Sequence, residues 1–305
     1  MRKTFITIFI ICIYLTSCQK DFSVETPIPT PSVTTIDDST LLSMYIEIDT
    51  TANVGLDTIS KAIYSYDNLK RIIKYDWVYF RNGVNTTPVD LRWKNLYFYN
   101  GIDTLPYKEI DSTYEQGNIT TEIIYHTYLN GKLILDSTNN GYKNKYIYFP
   151  SKTVDTLIGF SSSTPSSPSV IGYKVTYRQI NNSNIASEKD SLFLSDFSTN
   201  PSTFYLYFND NYTATYDISL NPLYKFRSLN PISFDGYFPK LDEFGSKSLN
   251  NITDYKLIRI GVGNNLNEHY VTSYIYKSNG YPKIGRTTDL LNSANSIKSF
   301  YYYTN

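Results

Sequence analysis

The side chains that most often carry chemistry are scarce in this chain. Only two histidines occur among the 305 residues. His126 lies in Tyr125-His126-Thr127-Tyr128, and His269 follows Glu268. Neither belongs to a group with metal-ligand spacing, and no His-Glu-x-x-His is present, so structural or exposed roles account for both. Glycoside hydrolysis needs two carboxylates held roughly 5–10 Å apart across a cleft. Asp67/Asp76 and Asp242/Glu243 are the candidate pairs, and turn or solvated acids explain them as well. Asn209-Asp210-Asn211 is oxygen-rich but lacks the further ligands of a calcium loop, so it predicts a β-turn. Neither a Gly-x-Ser-x-Gly elbow nor a phosphate-binding glycine loop appears. The expectation is a non-enzyme with no catalytic residue, no metal and no cofactor.

The aromatic residues are abundant instead, with 31 tyrosines, 16 phenylalanines and 2 tryptophans. Many are spaced by two. Successive strand residues point to opposite faces, so Tyr-x-Tyr sets both rings on one face. Such pairs occur at Tyr64/Tyr66, Tyr97/Tyr99, Tyr146/Tyr148, Tyr205/Tyr207, Tyr274/Tyr276 and Tyr301/Tyr303. Tyr75, Trp77 and Tyr79 extend the alternation, and Trp93 precedes another aromatic run. Rows of rings pack sheets, and they also stack on sugars; Trp77, Trp93, Tyr274 and Tyr276 are the candidate stacking residues.

The elements that position these rings are strands joined by short turns. Asn-Gly supplies the positive φ of a tight hairpin at Asn82-Gly83, Asn100-Gly101, Asn130-Gly131, Asn140-Gly141 and Asn279-Gly280. Ser43–Asp49 alternates with Met44, Ile46 and Ile48 on the face expected to be inward. Strands are also read at 173–180, 191–197, 204–208, 212–218, 255–262, 271–277 and 297–304. Asn221-Pro222-Leu223-Tyr224 interrupts them, and Pro239–Phe244 is the one short helix candidate. The resulting fold class is all-β: an antiparallel meander of consecutive hairpins curled into a roll or open barrel, with a two-sheet sandwich as the alternative.

The N-terminus reads differently. Met1-Arg2-Lys3 precedes an apolar run from Phe5 to Tyr14, the layout of a secretory signal and too short to span a bilayer. Leu15-Thr16-Ser17-Cys18 resembles a bacterial lipoprotein box, which implies cleavage after residue 17 and acylation of Cys18. Cys12 would leave with the signal, so no free thiol would remain. Lysines and arginines number 28 and so do aspartates and glutamates; loss of Arg2 and Lys3 tips the mature chain slightly acidic, with no footprint for nucleic acid. Gln19-Lys20-Asp21 is similar to the signal that sends lipoproteins to the cell surface in the Bacteroidetes-type envelope, although Phe22 stands where a second acid belongs; a periplasmic orientation stays open. Pro27, Pro29 and Pro31 make residues 18–35 an extended tether. Residues 36–305 then form a single β domain with a flexible loop near 161–169.

Tyr64-Ser65-Tyr66-Asp67-Asn68-Leu69-Lys70-Arg71-Ile72 resembles the Tyr-x-Tyr-Asp-x-x-Gly-Arg-Leu unit of the YD (Rhs) repeats, with Lys70 in place of the glycine and Ile72 of the leucine. Tyr128–Leu133 and Tyr274–Lys283 are weaker copies. Together with the lipoprotein box, the chain is similar to YD-repeat-like surface lipoproteins of that envelope type. The resemblance implies a β fold and an outer-membrane, surface-exposed location, and it transfers no catalytic residue. A second pattern is Asp-Ser/Thr followed by Thr, Ile or Leu. It resembles the acceptor of the O-glycosylation system of the same bacteria, at Ser39, Thr50, Thr58, Thr104, Ser112, Ser137, Thr156 and Ser191. A preference of Asp-Thr for hairpin return strands explains the recurrence equally well.

The expected function is therefore a lipid-anchored, non-enzymatic binding module for a glycan. A scaffold that binds envelope proteins by strand addition at a sheet edge is the alternative, and a hydrolase with two acids in a cleft is the third.

Overall fold

The computed structural model describes residues 40–50, 57–80, 91–115, 117–150, 154–162, 170–196, 203–226, 248–262, 265–292 and 295–304. The chain divides into a unit Met1–Ser32 and a unit Val33–Asn305, and all described residues belong to the second. The lipoprotein box, the tether, the candidate helix at 239–244, Asp242/Glu243, Asn82-Gly83 and the loop at 163–169 lie outside them.

Among the described residues sixteen strands follow one another. They are β1 (Leu41–Asp49), β2 (Asp57–Tyr66), β3 (Ile72–Tyr79), β4 (Leu91–Phe98), β5 (Lys108–Glu115) and β6 (Asn118–Leu129). Then come β7 (Lys132–Thr138), β8 (Lys143–Pro150), β9 (Val154–Ser162), β10 (Val170–Asn181) and β11 (Asn184–Asp196). The series ends with β12 (Thr203–Leu220), β13 (Asn250–Gly261), β14 (Leu266–Tyr276), β15 (Pro282–Asp289) and β16 (Ser296–Thr304). A 3-10 turn, η1 (Pro222–Phe226), follows β12 where the sequence pattern breaks. Every strand pairs antiparallel with its chain neighbours, as the meander expectation requires. The curl runs to closure: β1 pairs with β16 from Leu41↔Thr304 to Asp49↔Ile297. Closure satisfies the backbone groups that two edge strands would leave open.

Two expectations are corrected. Asn209-Asp210-Asn211 is no turn, because β12 runs unbroken through it and pairs with β11 and β13. Met44, Ile46 and Ile48 do not face inward: they share a face with Ile63, Lys61 and Thr58, while Tyr45 and Glu47 share the other with Ala62 and Ser60. A closed sheet crowds the side chains on its concave face and splays those on its convex face. Ala62 and Ser60 are almost fully buried, and Ile63 is not. The same contrast recurs on β13, where Tyr255 and Leu257 are buried while Ile258 and Ile260 are more than half exposed. The interior is therefore lined by tyrosines and carboxylates. Many of the apolar β-branched residues that a two-layer protein would bury lie outside, whereas Ile185 and Ile252 stay buried.

The turns explain much of the register. In 67–71, 138–142 and 277–281 the first residue's N–H donates to the fifth carbonyl (2.9–3.0 Å), and the fourth N–H donates to the first carbonyl at 3.0 Å. That is a type I turn with a bulge, which needs a left-handed residue in fourth place. Gly141 (φ 89°) and Gly280 (φ 82°) fill it, and Lys70 adopts φ 61° where the repeat unit it resembles has glycine. Asn130 and Gly131, both at positive φ, make a two-residue hairpin.

A second recurrent device sits beside these turns. One extra residue enters β1, β3, β11, β13 and β15 near the end where β1 begins and β16 finishes. Each bulge frees a backbone carbonyl, and a tyrosine of the next strand donates its hydroxyl to it. The pairs are Tyr66 to Leu42 O (2.6 Å), Tyr99 to Ile72 O (2.7 Å), Tyr216 to Ile185 O (2.6 Å), Tyr274 to Ile252 O (3.0 Å) and Tyr303 to Pro282 O (2.8 Å). Tyr66, Tyr99, Tyr274 and Tyr303 are all members of the Tyr-x-Tyr pairs. The pairing rule thus places two rings inward, and the hydroxyl nearer the bulge closes the backbone gap.

Candidate functional site

The inner wall carries the polar chemistry, and it has distinct sectors. On β3 and β4, Trp77 pairs with Trp93, and Tyr75 with Asn95. The indole centroids are 4.9 Å apart, and Tyr79 stacks parallel to Trp77 at 5.9 Å and 13°. Both tryptophans are half-buried, and Tyr79 is 38% exposed. Asn95 lies directly beside this platform and donates to Glu109 on β5 in a very short contact. Ring faces next to an amide and a carboxylate are the groups that hold a sugar: C–H bonds lie on the electron-rich faces while hydroxyls meet the polar atoms.

Beyond Glu109, His126 is buried between two acids. Its Nδ1 lies 2.7 Å from Asp136 Oδ1, and its Nε2 lies 3.4 Å from Glu109 Oε2. Tyr146 donates to the other Asp136 oxygen at 2.7 Å. Burial alone would depress the imidazole, but Asp136 and Glu109 more than reverse it and raise its pKa to about 9. The structural role expected for His126 therefore holds in the form of a buried ion pair. No signal in the sequence placed these residues together, since Glu109 and Asp136 are on strands either side of β6. Alternation alone put them on one face. His269 faces outward, half-buried, 3.2 Å from Asp254.

Across the barrel, β10 to β14 carry ion pairs and a compact core. Lys174 meets Asp190 at 2.6 Å, Arg178 meets Glu188 in a very short contact, and Arg259 grips Asp210 through two bonds of 2.7 Å. Thr176 donates to Asp190 at 2.7 Å and Tyr212 to Asp210 at 2.5 Å. Tyr212, Tyr255, Leu257 and Ile252 pack together beneath them. Tyr274 and Tyr276 stand here, 5.9 Å apart. Their hydroxyls are committed, one to Ile252 O and the other to Asp217.

The four candidate stacking aromatics therefore divide into two groups on separate sectors of the wall. Of the candidate acids, the described pair Asp67 and Asp76 does not converge. Asp67 is held in its turn by Leu69 N–H, Arg71 N–H and the Arg71 guanidinium; burial pushes its pKa up, but the bonds and charge of Arg71 with the Leu69 N–H together outweigh that and leave it below the usual range. Asp76 faces outward on β3 between Lys74 (3.0 Å) and Arg92 (2.7 Å). Among the described residues no group of three or more ligating side chains is arranged to hold a metal.

The Asp-Ser/Thr pattern acquires a geometric explanation. Asp111, Asp136 and Asp190 face inward, and the hydroxyls of Ser112, Ser137 and Ser191 face outward one residue later. Thr58 is outward too, Thr104 is exposed in the β4–β5 connection, and Thr50 directly follows β1 with its hydroxyl on Ser296 O at 2.8 Å. Ser39, Cys18 and the side chain of Thr156 lie outside the described residues.

Fold and wall together define a closed sixteen-stranded antiparallel barrel with a polar, tyrosine-rich interior. No protein-family model matches the chain, and no curated protein matches it. Among solved structures it is similar to a porin-like protein from Bacteroides vulgatus ATCC 8482, at 10% identity and a TM-score of 0.42, covering 87% of this chain and 99% of that one. It is also similar to a porin-like protein from Bacteroides uniformis ATCC 8492, at 12% identity and a TM-score of 0.48, covering 86% and 98%.

Proposed function

We propose that this is a lipid-anchored envelope protein, held at the outer membrane through Cys18, whose barrel interior is a non-enzymatic binding site for a glycan. The observation that carries the reading is the Trp77–Trp93–Tyr79 platform beside Asn95 and Glu109. Asp136, Asp190 and Asp210 are each tied to a cation or hydroxyl, which suits a wall that orients polar groups better than one that moves protons. With Glu47, Glu109, Asp111, Asp136 and Glu122 lining the sector near the platform, the ligand is a neutral or amino-bearing saccharide. A uronate or sulfated chain would be repelled.

The barrel is anchored to the membrane and does not span it. Lys61, Lys94, Lys256 and Arg286 project from the middle of the outer face, and each would cost about 2–4 kcal/mol at a bilayer midplane. Scaffolding by strand addition loses its basis, because β1 and β16 pair with each other.

A panel of neutral, aminated and acidic oligosaccharides tests the site. Saturable binding of a neutral or amino sugar, lost in Trp77→Ala, is expected; a blank panel with folded protein sinks the glycan reading, and turnover of a hit reopens the enzyme. Incorporation of labelled fatty acid into the wild type and not into Cys18→Ala tests the anchor.

A further inference from the structure

On the outer face of β10 to β12 the sheet has a depression of about 300 Å³. Two rows of outward side chains surround it. Tyr177, Lys189 and Asn211 stand opposite one another in the first row, and Gln179, Ser187 and Thr213 in the second. Ser187 has the smallest side chain of the six and sits at the centre of its row, so its taller neighbours form the walls. Tyr177 is 47% exposed, and Lys189 and Asn211 are exposed beside it. The next strand adds a second cation, because Lys256 of β13 stands opposite Thr213 and is exposed. The ion pairs beneath the sheet cancel: Arg178 meets Glu188, Lys174 meets Asp190 and Arg259 meets Asp210, all on the inner face. Asp254, the outward acid of β13, lies 3.2 Å from His269. Lys189 and Lys256 make no ion pair among the described residues, so they leave the depression net positive.

We propose that this depression binds an acidic oligosaccharide, with carboxylates on Lys189 and Lys256 and one sugar face against the Tyr177 ring. Ammonium groups on flexible stems hold carboxylates, the amides and hydroxyls of Asn211, Gln179 and Thr213 suit sugar hydroxyls, and a phenol ring offers a face to C–H bonds. Size argues for more than one sugar. Tyr177 and Lys256 are three strand steps apart, about 14 Å, which a single ring does not cover. The site shares no residue with the tryptophan platform and stands whether or not that platform binds. Its charge selects the class of saccharide that the acid-lined interior repels.

Titration calorimetry of the full chain with trigalacturonate, and with its fully methyl-esterified form, tests the site. Saturable binding of the acid only, weakened as salt is raised, is expected. Lys189→Gln combined with Lys256→Gln should weaken it about tenfold, since an exposed charge pair is worth up to roughly fivefold. Tyr177→Ala should weaken it about fivefold through the lost ring face. Lys145→Gln combined with Lys283→Gln removes two exposed lysines elsewhere and should change it less than about twofold. Circular dichroism checks that each variant is folded. Folded protein that ignores trigalacturonate at low salt overturns the proposal, as does equal binding of the ester or equal loss from both lysine variants. Binding that is lost in Trp77→Ala places the acid inside the barrel and overturns it too. Binding that ignores Tyr177→Ala and is displaced by inorganic sulfate shows capture of any anion, which overturns the saccharide site.

Discussion

Trp77 with Trp93 is a pair across two strands and Tyr274 with Tyr276 a pair along one, and both face the same interior. Their surroundings differ. The tyrosines stand on a wall where Tyr212, Tyr255 and Leu257 are nearly fully buried and both hydroxyls are spent on fixed acceptors. The tryptophans touch each other and Tyr79, keep part of each ring exposed, and border an amide and a carboxylate. A tyrosine whose hydroxyl closes a backbone bulge is part of the frame, whereas the half-buried indoles suit the proposed saccharide site. In that reading one aromatic code serves two purposes, and the hydrogen bond of the polar tip tells them apart.

The largest effect that would break this comparison lies in the frame. Asp210 is completely buried, and Arg259 meets both of its oxygens while Tyr212 donates to one of them. Arg259→Ala should cost about 3–5 kcal/mol, because it leaves a buried carboxylate without its counter-charge. Urea unfolding measures it, and sugar binding at the tryptophans should survive wherever the variant remains folded. Next comes His126, which lies between the sectors. An imidazole whose folded pKa is raised to about 9 from 6.5 contributes fully below pH 6.5 and loses that contribution as pH rises through 9. The loss amounts to about 3 kcal/mol. His126→Gln should flatten the stability profile across that window; an unchanged profile would contradict the ion pairs to Asp136 and Glu109. On the binding sector, Trp77→Leu keeps apolar bulk but removes the ring face. It should weaken saccharide binding about tenfold, in line with ~1–3 kcal/mol for a stacked ring, with a smaller change in melting temperature than Arg259→Ala.

The sequence made the frame legible to an uneven degree. Asn-Gly and its relatives announced hairpins at 130–131, 138–142 and 277–281, and alternation placed Tyr-x-Tyr on one face. Which face was inside was not legible for β1. Met44, Ile46 and Ile48 look like a core, but closing sixteen strands leaves an interior whose polar side chains satisfy one another, and the aliphatic residues go outside. Asn209-Asp210-Asn211 misled for a related reason. Three turn-forming residues in a row sit mid-strand because Asp210 is needed inside for Arg259 and Tyr212, while Asn209 accepts from Ser191 outside at 2.6 Å. The His126 group was invisible because its members come from β5, β6 and β7, and only register brings them together. Trp77 and Trp93 were named together with Tyr274 and Tyr276, and nothing in the sequence told the surroundings of the two pairs apart.

That separation can be sharpened with the smallest change available, removal of one oxygen. Tyr274→Phe keeps the ring against Tyr276 and deletes only the donor to Ile252 O. The bulge at β13 would then hold a carbonyl that has lost its 3.0 Å partner, a loss of about 1 kcal/mol. A ligand-stacking Tyr274 would behave in the opposite way, because phenylalanine offers the same face to a sugar and stability would hardly move. Tyr66→Phe and Tyr303→Phe remove the equivalent donors to Leu42 O and Pro282 O. If the latch is a property of the fold, the three variants should lose similar amounts in urea unfolding and leave binding at Trp77 and Trp93 intact. A loss confined to one of them would mean that the recurrence is geometric without being energetic.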